Sequence, residues 1–360
     1  MKRDRHLGIF PILIFFLFSS LGPPAWANSL KKKITARSAF LMDATTGQVL
    51  YERNPDLKLP PASTTKVVTA IIALEAKKLQ DRLKVTKNAT RVPRLRMGLR
   101  PGHTMSVRDL LYGALLYSAN DASMVLAEGI AGSVQSFAKM MTLKAHLIGG
   151  KNSRFTNPHG LTDKGHYSTT RDMAMIFNYA MKNPDFREIV QTKWTSAFAI
   201  SAGKHKRVRR IPLRNKNRLL WNFDGAIGGK TGFTNAAQRC FVGAASRDGV
   251  TLIVSVLGSK NLWGDTRRLL EYGFKNYENS VVASSASPST LSNGQVVTSQ
   301  QKQSSPMFTW EEERTVKSSN GYIIQIASFR EQHRAQSLKK QITEGGFYPF
   351  LEKGTLINGE

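Results

Sequence analysis

The sequence predicts an α/β domain of about 250 residues, followed by a linker and a small second unit. Three observations predict it. Strand-like runs occur at both ends of the first 280 residues, with helical periodicity between them. Composition then shifts abruptly: Ser280 to Ser305 holds nine serines and little apolar content. Order returns with the alternating run Gly321 to Phe329. The 41% hydrophobic content is enough to bury a sizeable core. The single cysteine, Cys240, excludes an internal disulfide framework and any cysteine-built metal cage. It sits in an apolar run and reads as a small buried side chain rather than a nucleophile.

Residues 1–27 open with Lys2, Arg3 and Arg5, continue with the apolar run Leu7 to Phe18, and end in Ala25-Trp26-Ala27. That is the pattern of a secretory signal peptide, with cleavage expected after Ala27. An uncleaved anchor is the alternative, but the run is short for a span of about 20 residues, and Pro11 interrupts it. The formal net charge of +27 calls for an anionic partner. Removing 1–27 leaves +25. An exported chain rarely meets chromosomal DNA, so the expected partner is wall polymer or a phospholipid surface rather than nucleic acid. The basic cluster 204–210 follows the same logic. It reads as a solvated loop, with a diffuse pull on anionic wall or headgroups as its functional version.

Residues 38–53 read as a hairpin: Ala39 to Met42, a turn ending in Gly47, and a return strand Val49 to Tyr51. From Lys66 the run VVTAIIALEAKK has helical spacing with little polar relief, a buried helix. Ser106-Val-Arg-Asp109 opens a helix through about Tyr117, and Thr169-Thr-Arg-Asp172 opens one through about Met181. Ala122 to Ile130 and Val134 to Leu147 extend the helical region. Residues 195–260 are β-rich, and Arg267 to Asn276 reads as a closing helix. The organisation expected is a signal peptide at 1–27, a main domain at 28–278, a Ser/Gln-rich linker at 279–318 and a partial unit at 319–360. About 40 residues without disulfides are marginal for an independent core.

Three triplets stand out. Ser63-Thr-Thr-Lys66 lies at the mouth of a helix, and its spacing places serine and lysine one turn apart on one face. A serine hydroxyl needs an adjacent base, and a lysine can serve if burial and nearby positive charge lower its pKa. Alone, the same residues fit an N-cap serine beside a solvated lysine. Ser118-Ala-Asn120 fits a helix C-cap, or a proton shuttle at Ser118 with an Asn120 amide that binds substrate and Lys66. Lys230-Thr-Gly232 fits an ordinary strand, or a lysine and threonine that hold a carboxylate, with glycine letting a substrate backbone approach the strand edge.

In this order and context the three match the S-x-x-K, S-D-N and K-T-G set of penicillin-binding proteins and class A β-lactamases, with S-A-N here as the middle motif. The chain resembles the serine-type D-alanyl-D-alanine carboxypeptidases, the low-molecular-mass penicillin-binding proteins of peptidase family S11. The resemblance spans about residues 30–278 and includes LMDATTGQVLYERN, LLYGALLYSANDAS, FTNPHGL and LLEYGF. It implies a β-lactamase/transpeptidase-like fold, an antiparallel sheet flanked by helices plus a helical subdomain. It also implies acyl transfer in cell-wall biogenesis without a cofactor or metal. Ser63 attacks the carbonyl between two terminal D-alanines of a peptidoglycan stem peptide, and Lys66 takes its proton. Ser118 and Asn120 assist. Backbone N–H groups of Ser63 and Phe233 form the oxyanion hole. Lys230 and Thr231 bind the terminal carboxylate, and Gly232 and Phe233 complete the substrate-binding set. β-Lactams inhibit by acylating Ser63. An arginine that assists the carboxylate has two candidates, Arg239 and Arg267.

The segment GYIIQIASFREQHRAQSLKKQITEGGFYPFLEK resembles the start of a SPOR domain, a ferredoxin-like module that binds glycan strands denuded of stem peptides. Alternatives stay open. A D,D-endopeptidase of the same fold would use the same residues. A non-catalytic wall-binding protein would keep the fold without the chemistry. A class A β-lactamase would carry a glutamate loop between the second and third motifs, where this chain has Asn157-Pro-His-Gly-Leu161. A zinc peptidase would use His159 and His166, but they lack the H-E-x-x-H pattern and read as loop residues.

Overall fold

The computed structural model describes residues 33–93, 95–203 and 205–285, together with 317–318 and 321–322. The expected signal peptide and nearly all of the expected linker and SPOR-like unit lie outside the described residues. So do the strand to Phe329 and the helix Glu331 to Thr343. Within the tail, Lys317–Ser318 pairs antiparallel with Gly321–Tyr322.

A five-stranded antiparallel sheet forms the centre of the main domain. Its strands are β1 (Ser38–Asp43), β2 (Val49–Arg53), β7 (Ala226–Thr234), β8 (Gln238–Arg247) and β9 (Val250–Ser259), in the order β2-β1-β9-β8-β7. The expected hairpin is β1–β2. Side chains alternate across a strand, and here both faces are apolar. Leu41, Phe241 and Val254 point to one core, completed by Leu269, Leu270 and Phe274. Phe40, Val242 and Ile253 point to the other, where the helical subdomain packs. The near-continuous apolar runs in β8 and β9 are the sequence signature of this two-sided burial.

The helices of the second core are α1 (Lys66–Ala76), α2 (Val107–Tyr112), α3 (Asn120–Ala131), α4 (Val134–Ile148), α5 (Thr170–Ala180) and α6 (Pro184–Gln191). Every residue of α1 from Lys66 to Ala73 is buried, as an apolar pattern without a polar face requires. Ser106 and Thr169 cap α2 and α5 by accepting the N–H of Asp109 and Asp172. The helix expected to run on to Tyr117 changes winding at Gly113. Gly113–Tyr117 is a π-helical turn that ends at Ser118 in the left-handed region, φ 69°.

A second antiparallel sheet joins β3 (Arg82–Lys84), β4 (Thr104–Ser106), β5 (Trp194–Ile200) and β6 (Val208–Arg214), in that order. Its inner face, with Met105, Ala197, Ala199, Ile211 and Leu213, closes the second core. The short α7 (Leu219–Asn222) leads into β7. The closing helix α8 (Leu262–Ser285) is longer than the expected 267–276 and continues past residue 278. The polar stretch Asn261 to Thr266 hid its start. There Asn261 Oδ1 accepts the Gly264 N–H (3.3 Å), and the buried Asp265 accepts from Thr35 and Ser259. Among the described residues no helix is long and apolar enough to cross a membrane.

Candidate active site

Ser63 sits on a 3₁₀ turn, Ala62–Thr65, that feeds α1. Residues three apart eclipse on such a turn, so the S-x-x-K spacing brings the two side chains together directly. Lys66 Nζ lies 2.9 Å from Ser63 Oγ. Lys66 is fully buried. Its Nζ also donates to Asn120 Oδ1 (2.8 Å) and to the His159 carbonyl (2.6 Å). Two fixed acceptors hold two N–H bonds and leave the third tetrahedral direction aimed at Ser63. Burial, and next the positive charges of Lys230 and Lys216, hold the Lys66 ammonium well below the usual lysine range. A neutral amine with its lone pair on the hydroxyl is the state in which a serine is activated.

The His159 carbonyl comes from the loop Asn157–Leu161. Gly160 lets that loop lie against the nucleophile turn: φ is 82°, and a Cβ would stand 1.8 Å from the Ala62 carbonyl oxygen. Asn157 Oδ1 accepts the Gly160 N–H (2.8 Å) and holds the loop shape. In the sequence this loop shows no catalytic side-chain pattern of its own. Its working group is a main-chain carbonyl, which no side-chain pattern announces.

Asn120 opens α3. Its N–H donates to Leu95 O (2.7 Å) and its Nδ2 to Pro93 O (3.0 Å). Those donors fix the amide so that Oδ1 faces Lys66. The neighbouring buried Asp121 accepts the N–H groups of Met97 and Leu99 (3.0 and 3.2 Å), which ties the 93–99 loop to the site. Ser118 ends the π turn, and its Oγ accepts from Lys230 Nζ at 2.9 Å. The helix-end geometry is therefore present, and it serves to aim the hydroxyl.

Lys230 lies on β7, the last strand of its sheet, whose outer edge faces the Ser63 turn. Its second acceptor is the Thr231 carbonyl (2.7 Å). Burial, and next Lys216, lower its pKa to about 7. Gly232 is a close-approach position: a Cβ there would come within 2.9 Å of Ser63 N. Phe233 is 58% exposed at the open end of the edge. Edge strands carry unpaired backbone donors and acceptors, and here that edge flanks Ser63. Lys216, which no motif flagged, is half-buried and lies over the Tyr117 ring at 4.6 Å. It is the third positive charge acting on the site.

His159 and His166 are loop residues. Burial first, then the charge of Lys66, pushes His159 down to about 3. Burial pushes His166 down to about 4. The Thr156 N–H donates to His166 Nδ1 (3.0 Å), so the ring proton sits on Nε2 and donates to Thr65 Oγ1 at 2.9 Å. His166 thus clamps its loop to the nucleophile turn. Cys240 is fully buried, and burial pushes its thiol up to about 12. Arg239 is exposed on β8, opposite Phe233, and donates to Lys260 O (3.2 Å). Arg267 donates to Asn222 O (2.6 Å), just before the Ala226 end of β7. Of the two candidates, Arg239 lies at the end of the edge where Phe233 is exposed. His205, Lys206 and Arg207 of the basic cluster are exposed in the β5–β6 loop.

The family profile described as D-alanyl-D-alanine carboxypeptidase, Peptidase_S11, matches residues 25–261. The chain belongs to that family. A SPOR domain profile matches residues 318–358. The chain is 33% identical over 280 residues to D-alanyl-D-alanine carboxypeptidase DacF of Bacillus subtilis, a match covering 74% of this chain and 70% of that protein. It is 34% identical over 261 residues to D-alanyl-D-alanine endopeptidase of Pseudomonas aeruginosa, covering 70% of this chain and 81% of that one. Among solved structures it is similar to the Streptomyces K15 DD-transpeptidase, with a TM-score of 0.64 and 33% identity over 67% of this chain and 98% of that one. The expected transpeptidase-like fold is the fold observed.

Proposed function

We propose that this chain is a serine-type D-Ala-D-Ala carboxypeptidase that removes the terminal D-alanine from peptidoglycan stem pentapeptides through an acyl-enzyme on Ser63. The observation that carries the reading is the buried Lys66 amine, 2.9 Å from Ser63 Oγ and fixed by Asn120 and the His159 carbonyl. The stem peptide lies along the free edge of β7. Its terminal carboxylate meets Lys230 and Thr231, and the charge it brings favours protonated Lys230. Lys66 accepts the Ser63 proton as Oγ attacks. The oxyanion gathers between the N–H groups of Ser63 and Phe233, which the close approach at Gly232 brings together. Ser118 gives its proton to the leaving amine of D-alanine and is reprotonated by Lys230 across their hydrogen bond. Water then cleaves the ester, Lys66 returns its proton to Ser63, and the proton lost by the water restores Lys230. β-Lactams enter the same cleft and stop at the acyl stage.

Family membership puts the chain in the cell envelope. We assign it to the exported side, with residues 1–27 removed as a signal peptide, and assign the SPOR-matching tail to denuded glycan. A second reading, endopeptidase cleavage of D-alanyl cross-links, is favoured by one observation, the similarity to the Pseudomonas aeruginosa endopeptidase. Incubation with a D-Ala-D-Ala pentapeptide and, separately, with a cross-linked muropeptide dimer tests the choice. Free D-alanine from the pentapeptide is expected. Monomer release without free D-alanine would transfer the assignment to the endopeptidase, and neither product would remove the enzyme reading.

A further inference from the structure

The outer face of the β3–β6 sheet is strongly basic. Register puts Arg82, Lys84, Arg210 and Arg214 on this one face, and all four are exposed. Between and beside them stand Trp194, Phe198 and Val208, at 61%, 43% and 63% exposure. None of the outward positions on these four strands carries an acid or an amide. Among the described residues none of the four cations forms a salt bridge. Arg210 donates to Ser196 Oγ (2.8 Å), Arg82 to Thr104 O (3.0 Å), and Arg214 lies over the Trp221 ring at 5.4 Å. Asp109 feels the charge of Arg82, but its carboxylate already accepts from the Ser106 hydroxyl (2.6 Å). The β5–β6 loop adds exposed Lys206 and Arg207 at the Val208 end.

Large exposed aromatic side chains interleaved with unpaired cations mark an interaction surface. A glycan ligand needs acceptors for its hydroxyls, and this face has no carboxylate or amide to offer. A second copy would set cation against cation. Anionic headgroups with acyl chains beneath them satisfy both halves of the face: arginines and lysine at the phosphates, Trp194 and Phe198 at the interfacial level. The inner face of the same sheet supports the π turn that aims Ser118. Docking through the outer face would therefore leave the catalytic cleft free.

We propose that the outer β3–β6 face docks the enzyme peripherally on a membrane of anionic phospholipids. The proposal is independent of the Ser63 chemistry. The test is co-sedimentation of the chain from Asn28 to Glu360 with vesicles of phosphatidylglycerol and phosphatidylcholine, against phosphatidylcholine alone, at low and high salt. Binding only to the anionic vesicles, weakened by salt, is expected. The paired change Arg210→Glu and Arg214→Glu should weaken it about 10-fold or more, since each basic group near an anionic surface contributes comparably. The paired change Trp194→Ser and Phe198→Ser should weaken it about 5-fold at fixed salt. Penicillin acylation should stay at the wild-type level in both, which reports intact folding. The single change Arg210→Gln serves where a paired variant does not fold. Undiminished vesicle binding in every folded variant would overturn the proposal. So would wild-type binding to wall sacculi or an oligonucleotide without binding to anionic vesicles.

Discussion

The site contains two serine–lysine pairs at the same separation, Ser63–Lys66 and Ser118–Lys230, each 2.9 Å from Oγ to Nζ. Both lysines are buried, and both are held below the ordinary lysine range. What differs is the remaining company. Lys66 has an amide oxygen and a loop carbonyl fixed on it from opposite sides, so its last direction belongs to Ser63. Among the described residues Lys230 has, besides Ser118, its neighbour's carbonyl, and it lies on the last strand of its sheet. One pair is closed and suits proton transfer. The other has one fixed acceptor fewer and suits an anion. On the proposed reading, identical contacts divide into a base and a carboxylate receptor through their surroundings alone.

The sharpest way to break this division is Lys66→Ala. It should cut the acylation rate by about a thousand-fold or more, as loss of a base coupled to a nucleophile does, with the peptide KM little changed. Lys230→Gln should lower kcat/KM for a D-Ala-D-Ala peptide by about 100-fold, the scale for removing one partner of a buried charge pair. An ester or amide substrate whose terminal carboxylate is blocked should lose far less. Equal losses on both substrates would erase the distinction between the pairs.

The pH profile sharpens it further. Lys66 must be neutral to accept a proton, so kcat/KM rises as pH climbs through its depressed pKa. Lys230 must be charged to hold a carboxylate, so the profile falls as pH passes its free-enzyme value of about 7. A bell with its basic limb near neutrality is expected, falling about 10-fold per pH unit beyond that limb. Lys230→Gln should flatten the basic limb and keep the acidic one. The smallest effect concerns stability. His166 is neutral in the fold down to about 4, whereas an unfolded histidine protonates below 6.5. The unfolded state therefore binds more protons across that window, and stability is lost as pH falls from 6.5 towards 4. His166→Gln should lower Tm at pH 7 by a few degrees through the lost clamp on Thr65, at about 1 kcal/mol. Its further loss of Tm on acidification should be smaller than in the wild type.

The proposed site was legible because it is written in side-chain types at fixed spacings: the structure joins Ser63, Lys66 and Asn120 by hydrogen bonds and pairs Lys230 with Ser118. The hairpin β1–β2 and the caps at Ser106 and Thr169 were legible because turn and capping residues act locally. What stayed hidden acts through the backbone or through long-range packing. The His159 carbonyl is a main-chain group. The left-handed Ser118 depends on a π turn that the 3.6-residue period does not distinguish. Strands β3 and β4 have three residues each, too few to show a period. Lys216 reaches the site only because β6 folds back beneath Tyr117, and no local pattern records that. The outer face of the second sheet was visible only as a scatter of basic residues until register aligned them.

The most direct test of the central claim is labelled penicillin followed by peptide mapping of the adduct. The account predicts one label per chain, carried by Ser63, absent in Ser63→Ala and strongly slowed in Lys66→Ala while that variant keeps its wild-type melting behaviour. A label on another residue, or undiminished labelling of Ser63→Ala, would contradict it.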